Sequence, residues 1–305
     1  MKRVLIIGCG DVALRTIPLL AGRYRLLALV RDRAMFPPLR ALGVTPLWGD
    51  LDNRESLVRL AGIAEAVLHF APPPGAGTHD ARTRNLLGAL AHGTLPKRMV
   101  YISTSGVYGD CAGARVDETR RLDATSPRAK RRVDAELQIR GWAGRNRVQA
   151  SILRVPGIYA ADRLPLERIV QGTPCIIDDE DGYTNHIHAD DLARIGVAAL
   201  QRGKNCRVYH ASDDSRLKMG AYLDLVADAC GLSRVPRISR DEARRVLPET
   251  LLSFINESRR LDNGRMKREL GVRLRYPTVA ATLQAMNGSD ESASRAQAVQ
   301  ASASA

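Results

Sequence analysis

The N-terminal stretch RVLIIGCGDVALRTIPLLAG, residues 3–22, decides the fold. Residues 3–8 form a short apolar run that ends in glycine, which indicates a buried strand followed by a tight turn. Apolar residues then recur at helical spacing over residues 12–21, and Gly22 is a typical helix stop. The stretch therefore predicts the strand, turn and first helix of a βαβ unit.

Further apolar runs repeat this pattern through the first half of the chain. They are RLLALV (25–30), VTPLW (44–48), AEAVLHF (64–70), RMVYIS (98–103) and VQASILRV (148–155). Helical patterns such as RTRNLLGALAHG lie between them. Buried strands that alternate with helices favour a parallel sheet covered on both faces. Because crossovers between parallel strands are right-handed, we expect an α/β fold with a doubly wound, Rossmann-like parallel sheet.

The repeating pattern stops after residue 155, where short runs and Pro/Gly turns take over. We therefore expect a Rossmann domain over residues 1–155. A smaller C-terminal α+β substrate domain is expected over residues 156–184 and 212–286. Residues 185–211 carry another strand and helix, which are expected to return to the main sheet.

Two helices and a tail are predicted in the C-terminal part of the chain. Helical patterns cover residues 218–230 and 240–254. Residues 287–305 hold almost no large apolar side chain, so they are predicted to form a disordered tail.

The charge of the chain does not by itself identify a partner. The 305 residues carry a formal net charge of +13, which would suit a nucleic acid. However, only six of the 46 basic residues are lysines, and the arginines are spread along the whole chain instead of forming one patch. A nucleic-acid partner is therefore not favoured.

Cysteine usage and hydropathy favour a cytoplasmic protein. The five cysteines lack any paired or zinc-like spacing, so they are expected to be reduced thiols and no metal site is predicted. No apolar run is long enough for a transmembrane helix or for the core of a signal peptide. No association with a membrane is expected.

The turn after the first strand has the spacing of a dinucleotide-binding loop. Residues 8–13, GCGDVA, match G-x-G-x-x-G/A. Gly8 permits the tight turn, Gly10 lets a pyrophosphate approach the backbone, and Ala13 allows close packing of the helix. The anion would bind to free N–H groups at the helix N-terminus.

The residues after the second and third strands bear on the choice of cofactor. Arg31 directly follows the second strand, where an arginine can pair with the 2′-phosphate of NADP. Asp32 would instead suit the ribose hydroxyls of NAD, so both cofactors stay open, with NADP favoured. Asp50 can accept a hydrogen bond from the adenine amino group, or it can cap the next helix.

Four motifs in order along the chain carry a resemblance to a known family. They are GDLD after the third strand, STSGVYGD (103–110), LRVPGIYA (153–160) and NHIHADDLA (185–193). Together they resemble the extended short-chain dehydrogenase/reductase family, in its epimerase/dehydratase branch that acts on nucleotide sugars. The short glycine loop is similar to that of the members called atypical. The resemblance covers most of residues 1–285.

The resemblance implies catalytic positions that this chain fills only in part. The family uses a Ser or Thr hydroxyl, a Tyr and a Lys, which match Thr104, Ser126 and Lys130 here. A serine is a far weaker acid than a phenol, whose pKa is about 10, so Ser126 is no equivalent proton donor. Other groups expected to border the cleft are Tyr108, Tyr159, Tyr183, His186 and His188.

The motif and the resemblance together give a set of expected cofactor-binding residues. They are Gly8, Gly10, Asp11, Val12, Ala13, Arg31, Asp50, Leu51, Ala71, Pro72, Lys130 and Pro156. The cofactor itself would be NADP, or NAD.

The resemblance implies an NAD(P)-dependent oxidoreductase or epimerase/dehydratase-like enzyme, with a small polar or nucleotide-sugar-like substrate. The loss of the tyrosine leaves open a non-catalytic NADP(H)-binding sensor or regulatory protein. The family also often dimerises through two helices, here near residues 80–91 and 126–140. A homodimer is therefore expected, with Ala129, Val133 and Leu137 as its apolar stripe.

Overall fold

The computed structural model describes residues 1–287. Its strands in chain order are β1 (Arg3–Ile7), β2 (Arg25–Val30), β3 (Val44–Trp48), β4 (Ala66–His69), β5 (Arg98–Thr104), β6 (Arg115–Val116), β7 (Gln149–Val155), β8 (Gly157–Tyr159), β9 (Cys175–Ile176), β10 (Tyr183–Thr184), β11 (His186–His188), β12 (Arg207–His210), β13 (Leu217–Lys218), β14 (Arg237–Ile238) and β15 (Arg260–Leu261). Its α-helices are α1 (Asp11–Leu20), α2 (Phe36–Ala41), α3 (Ala81–Leu90), α4 (Pro127–Asn146), α5 (Leu166–Val170), α6 (Ala189–Arg202), α7 (Met219–Ala229), α8 (Arg240–Val246), α9 (Glu249–Ile255), α10 (Gly264–Leu270) and α11 (Val279–Asn287).

The main sheet of residues 1–287 has seven strands in the order β12-β7-β5-β4-β1-β2-β3. All neighbouring strands in it run parallel. The chain builds one half outward from β1 to β3 and then crosses back to start the other half at β4. This confirms the predicted α/β fold with a doubly wound, Rossmann-like sheet. In such a sheet, ligands bind outside the carboxyl ends of the strands, at the point where the order reverses.

Alternation along β1 shows why both faces of the sheet are covered. Val4 and Ile6 belong to one fully buried cluster, which includes Ile17 of α1. Leu5 and Ile7 point to the opposite face and belong to a second cluster, which includes residues of α3 and α4. Because successive side chains of a strand point to opposite faces, a wholly apolar strand needs helices on both sides.

Residues beyond the main sheet form a further apolar cluster. It contains residues of α5, α7 and α11, among them Ile169, Leu223 and Leu283. The chain between residues 185 and 211 contributes α6 and β12, and β12 pairs with β7 at the edge of the main sheet. In contrast, Met266 and Leu270 of α10 pack into the cluster of the main sheet. One part of segment 212–286 therefore packs with the main sheet, and another part packs in the further cluster.

The prediction of one helix over residues 240–254 is wrong in one respect, because the structure has two helices there. Helix α8 ends before Leu247, which is extended with φ −95° and ψ 144°, and α9 begins after Pro248. Proline disfavours helical conformation in the residue before it and has no N–H for a helical hydrogen bond. Pro248 therefore separates the two helices.

The C-terminal end of the chain is described only in part. Helix α11 ends at Asn287, and the rest of the predicted disordered tail, residues 288–305, lies outside the described residues. Within residues 1–287, no helix has both the length and the apolar character required to cross a membrane.

Candidate active site

The glycine loop between β1 and α1 is open where a phosphate would approach. Gly8 has φ +88°, and a Cβ there would overlap the backbone of Ala71, so the position requires glycine. Gly10 caps α1 with its backbone alone, and a Cβ on Gly10 would meet no protein atom within 4 Å. The first N–H groups of a helix lack intrahelical partners. The loop therefore fits the pyrophosphate of a dinucleotide.

Asp11 at the start of α1 would repel a phosphate if its charge were not compensated. Its carboxylate accepts hydrogen bonds from Arg15 at 2.8 Å and from Arg163 at 2.9 Å. Arg15 also binds Asp162 and Asp190. These pairs turn the Asp11 carboxylate toward arginines and compensate its charge. Ala13 is buried on the face of α1 that packs on the sheet, as close packing of the helix requires.

A first cavity of about 290 Å³ lies at the carboxyl ends of β1 to β4. Its lining includes Gly8, Arg31, Asp50, Leu51, Ala71 and Pro72. The structure thus brings together most of the side chains predicted to bind the adenosine half of a cofactor. The carboxylate of Asp32 accepts the Ala34 N–H at 2.8 Å and so caps a short 3₁₀ helix. Arg31 is exposed at the rim.

Arg82 lines the same cavity and was not predicted from the sequence. It forms two hydrogen bonds with Asp52, at 2.8 and 2.6 Å. It also donates to the carbonyls of Pro72 and Pro73 at 3.3 Å. This arginine therefore ties the loop after β3 to the loop after β4. The pair spans 30 positions in the chain, so no local sequence pattern announces it.

A second cavity of about 340 Å³ lies at the carboxyl ends of β5 and β7, against residues of α7 and α9. Thr104 and Pro156 line it where these strands end. Thr104 Oγ1 accepts the Gly106 N–H at 3.2 Å, which leaves the hydroxyl hydrogen free to donate. Ionisable and aromatic side chains in the lining are Arg128, Arg168, Tyr183, His186, Tyr222, Phe254, Glu257 and Arg259.

Ser126 and Lys130, the catalytic positions that the resemblance implies, lie on α4 outside the second cavity. Ser126 is the N-cap of α4, and its Oγ accepts the Ala129 N–H at 3.3 Å. Lys130 is exposed in a separate surface depression beside His79 and Asp134. Neither residue lines the first or the second cavity as residues 1–287 define them.

The face of α4 that packs toward β5 carries Arg128 and Arg132 instead, one helical turn apart. Arg128 lines the second cavity. Arg132 Nη1 donates to the carbonyl of Ile102 at 2.6 Å and to the hydroxyl of Tyr101 at 3.0 Å. The helix phase therefore differs by two residues from the alignment that placed Ser126 and Lys130 there.

A buried ion pair fixes this phase. Glu136, one further turn along α4, binds Arg154 of β7 at 2.7 and 3.0 Å, with both side chains buried. Ser103 at the end of β5 donates to the same carboxylate at 2.7 Å. Because positions four apart share a helix face, fixing Glu136 also directs Arg132 and Arg128 toward β5.

His186 is an unusual member of the second cavity. It is 4% exposed, and burial lowers its pKa to about 4, so it is neutral at pH 7. Its Nδ1 has no hydrogen-bond partner in the part of the chain that the structure describes. Its ring packs against Tyr222 with centroids 4.1 Å apart. Burial also raises the pKa of Tyr222 above its usual range.

The remaining candidate proton donors are held in other contacts. Tyr108 bonds to His210 and Arg154, both at 2.6 Å, inside the core. His188 caps α6 and stacks on Tyr276 at 3.6 Å. Tyr183 and His186 are the sequence-predicted candidates that line the second cavity.

A doubly wound sheet with cavities along its carboxyl edge is the architecture of Rossmann-type proteins. Residues 16–211 match the model of the NAD dependent epimerase/dehydratase family, which is more than half of the chain. The protein belongs to this family. The match begins inside α1 and does not include the glycine loop. The interpretation of that loop as a dinucleotide site therefore depends on its own spacing and geometry.

Individual relatives are distant. One relative is a ketoreductase of Stigmatella aurantiaca, whose name gives a farnesylated dihydroquinoline oxide as its substrate. It is 26% identical over 67% of this chain. The match spans 66% of the relative's own length, which is just under two thirds. A protein of unknown function from Silicibacter pomeroyi has a similar structure, with a TM-score of 0.77 and 28% identity, over 95% of this chain and 100% of its own. The dTDP-glucose 4,6-dehydratase DesIV of Streptomyces venezuelae, solved with NAD, shares the fold with a TM-score of 0.73 and 22% identity, over 94% of this chain and 97% of its own.

Proposed function

We propose that this protein is an NAD(P)-dependent oxidoreductase or epimerase/dehydratase-like enzyme. Its substrate would be a small polar or nucleotide-sugar-like molecule in the second cavity. The observation that carries the proposal is the arrangement of the two cavities along one sheet edge. The first contains the glycine loop with Arg31 and Asp50, and the second contains Thr104 and Pro156. A dinucleotide that crosses the switch point would reach from one to the other.

The proposed cofactor site has separate parts. Gly8, Gly10 and the first turn of α1 would hold the pyrophosphate, and the first cavity would hold the adenosine. Arg31 favours NADP because a guanidinium can bind the 2′-phosphate through two hydrogen bonds. When bound, the nicotinamide supplies hydride transfer. The dehydratase with the similar fold was solved with NAD, which supports a dinucleotide of this kind here.

The side chains on α4 support a different catalytic arrangement from that of the family. The resemblance matches Ser126 and Lys130 to the tyrosine and lysine, whereas Arg128 and Arg132 lie on the face toward β5. A guanidinium keeps its proton in proteins, so Arg128 cannot act as a general acid, although it can stabilise a developing oxyanion. Thr104 would donate a hydrogen bond to the substrate oxygen. The proton would come from Tyr183 or from water, because His186 is neutral at pH 7.

The absence of a tyrosine and lysine on this face also supports the alternative function, a non-catalytic NADP(H)-binding sensor or regulatory protein. The two functions share cofactor binding and differ in turnover. The test is NADPH oxidation at 340 nm with a panel of oxo acids and ketones, together with product analysis by NMR for nucleotide sugars incubated with NADP, because epimerisation and dehydration consume no net cofactor. Both assays are run beside Thr104→Val. Turnover that falls with Thr104→Val supports the enzyme. Tight NADP binding without turnover on the whole panel supports the sensor.

A further inference from the structure

The second cavity contains more positive than negative charge. Three guanidinium groups line it, from Arg128, Arg168 and Arg259, together with one carboxylate, Glu257. Arg259 and Glu257 form an ion pair at 2.6 Å, and their side chains are 8% and 6% exposed. Among residues 1–287, neither Arg128 nor Arg168 lies within ion-pair distance of a carboxylate. Two cations in this cavity therefore have no directly bonded carboxylate among the described residues.

Both of these arginines are partly removed from water. Burial lowers the pKa of Arg128 and of Arg168 below the usual value, which shows that their charge is poorly solvated. Arg168 Nε is buried and has no hydrogen-bond partner within the described part of the chain. Asp181 attracts Arg168, but its oxygens already accept the N–H groups of Gly182 and Gly220. Arg168 Nη2 donates to the carbonyl of Pro174 at 3.3 Å, which carries no full charge. A partly buried cation that binds no carboxylate is poorly compensated, so an anion in the cavity would be stabilised.

Arg128 is held in a fixed orientation. Its guanidinium stacks on Phe254, with Cζ 3.3 Å from the ring centroid. Nη1 and Nη2 donate to Ser253 at 3.2 and 3.3 Å, which leaves further N–H groups to donate. A planar guanidinium with a fixed orientation matches the two oxygens of a carboxylate.

Arg128 lines the same cavity as Thr104, at the carboxyl end of β5. An anion on Arg128 and the group that faces Thr104 would therefore share one cavity of about 340 Å³. A cavity of this size suits a small substrate whose carboxylate is bonded to the reacting carbon or next to it. The apolar side chains of Ile158, Met219 and Leu223 suit a short hydrocarbon portion.

We propose that the second cavity binds a small organic acid, whose carboxylate is held by Arg128 and Arg168. The inference deepens the proposed function and rests on it for the identity of the reacting carbon. The anion site itself does not need the cofactor, so binding of an acid and binding of NADP can fail separately.

The test is calorimetric titration of the full chain with pyruvate, malate and 2-oxoglutarate, in the absence and in the presence of NADP. Lactamide is the neutral control, and inorganic phosphate and UDP are the other anions. We expect at least one acid to bind, lactamide not to bind, and affinity for the acid to fall with added salt. Arg128→Gln and Arg168→Gln should each weaken the binding of the acid by about tenfold or more.

Matched variants separate a specific site from general charge. Arg216→Gln removes an exposed arginine that lines neither cavity, and it should leave binding of the acid unchanged. Arg128→Lys keeps the charge without the planar group, and it should bind the acid more weakly than the wild type. Melting temperatures of all variants show whether they are folded.

Several results would overturn the proposal. These are no binding of any acid with or without NADP, equal binding of lactamide, or unchanged affinity in folded Arg128→Gln and Arg168→Gln. Tighter binding of UDP or phosphate through the same arginines would overturn the assignment of a carboxylate. Failure of NADP to bind, with the acid still bound, would instead contradict the proposed function.

Discussion

Glu136 of α4 and Arg154 of β7 form a doubly hydrogen-bonded ion pair in the core, with distances of 2.7 and 3.0 Å. The pair sets the rotation of α4 against the sheet. It directs Arg128 and Arg132, which are eight and four residues earlier, to the face that packs on β5. The same rotation leaves Lys130 exposed. The roles of the residues on α4 follow from this pair.

A comparison of two positions on α4 tests this rotation. Lys130→Met should leave the dissociation constant of NADP unchanged, because Lys130 is exposed beside His79 and Asp134, on a different side of α4 from Arg128 and Arg132. Arg132→Met should weaken the binding of NADP several-fold. The guanidinium of Arg132 donates to the carbonyl of Ile102 near the carboxyl end of β5, and β5 is next to β4 in the sheet. Fluorescence titration with NADPH measures both. The opposite order of effects would favour the alignment in which Lys130 binds the nicotinamide ribose.

Specificity between the two cofactors depends on Arg31. Arg31→Ala should weaken the binding of NADP by about tenfold and the binding of NAD much less, because only NADP carries the 2′-phosphate. Arg33→Ala is the matched control, since Arg33 lies over Trp48 at 5.6 Å and does not line the first cavity. Equal losses for the two cofactors in Arg31→Ala would rule out this role.

The stability of the protein should fall between pH 7 and pH 5, in part because of His186. Burial lowers its pKa from 6.5 to about 4, so in this range the unfolded chain binds a proton that the folded chain does not. Stability is therefore lost as the pH falls through this window, by about 2 kcal/mol at pH 5 for one such histidine.

His186→Phe removes the titrating group and keeps an aromatic ring against Tyr222. Urea unfolding at pH 7 and pH 5 should show a smaller difference for this variant than for the wild type. The same pH dependence in both proteins would mean that His186 is protonated in the folded state or is not involved.

The homodimer stays a prediction, and the structure refines the surface that would form it. Ala129 is fully buried within the chain, whereas Leu137 is 63% exposed on α4. We expect light scattering at micromolar concentration to give a dimer, and Leu137→Glu to give a folded monomer whose melting temperature no longer depends on protein concentration. A monomeric wild-type protein would exclude this dimer.

The parts of the site that follow directly from strand ends could be predicted from the sequence. The glycine loop and Arg31 come immediately after buried strands, and Asp50 follows the edge strand β3 by two residues. Parallel strands bring such positions to one edge of the sheet. These positions needed only local spacing and the order of strands.

The positions on α4 could not be predicted in the same way. A helix has no intrinsic rotation relative to a sheet, and its phase here depends on Glu136 and Arg154, which are 18 positions apart. The contact of Arg82 with Asp52 likewise joins two loops across 30 positions. Such pairs are visible only after the chain has folded.

Isothermal titration of Gly10→Ala with NADP tests the central claim most directly. A Cβ on Gly10 would meet no protein atom within 4 Å but would enter the space proposed for the pyrophosphate. The variant should fold with a loss of about 1 kcal/mol, since alanine is a poorer N-cap residue than glycine. Gly144→Ala is the control, because a Cβ there also meets open space, far along α4. We predict saturable binding of NADP to the wild type and to Gly144→Ala, and a loss of about tenfold or more in folded Gly10→Ala. Equal affinity in all three proteins, or no binding to the wild type, would contradict a dinucleotide site at this loop.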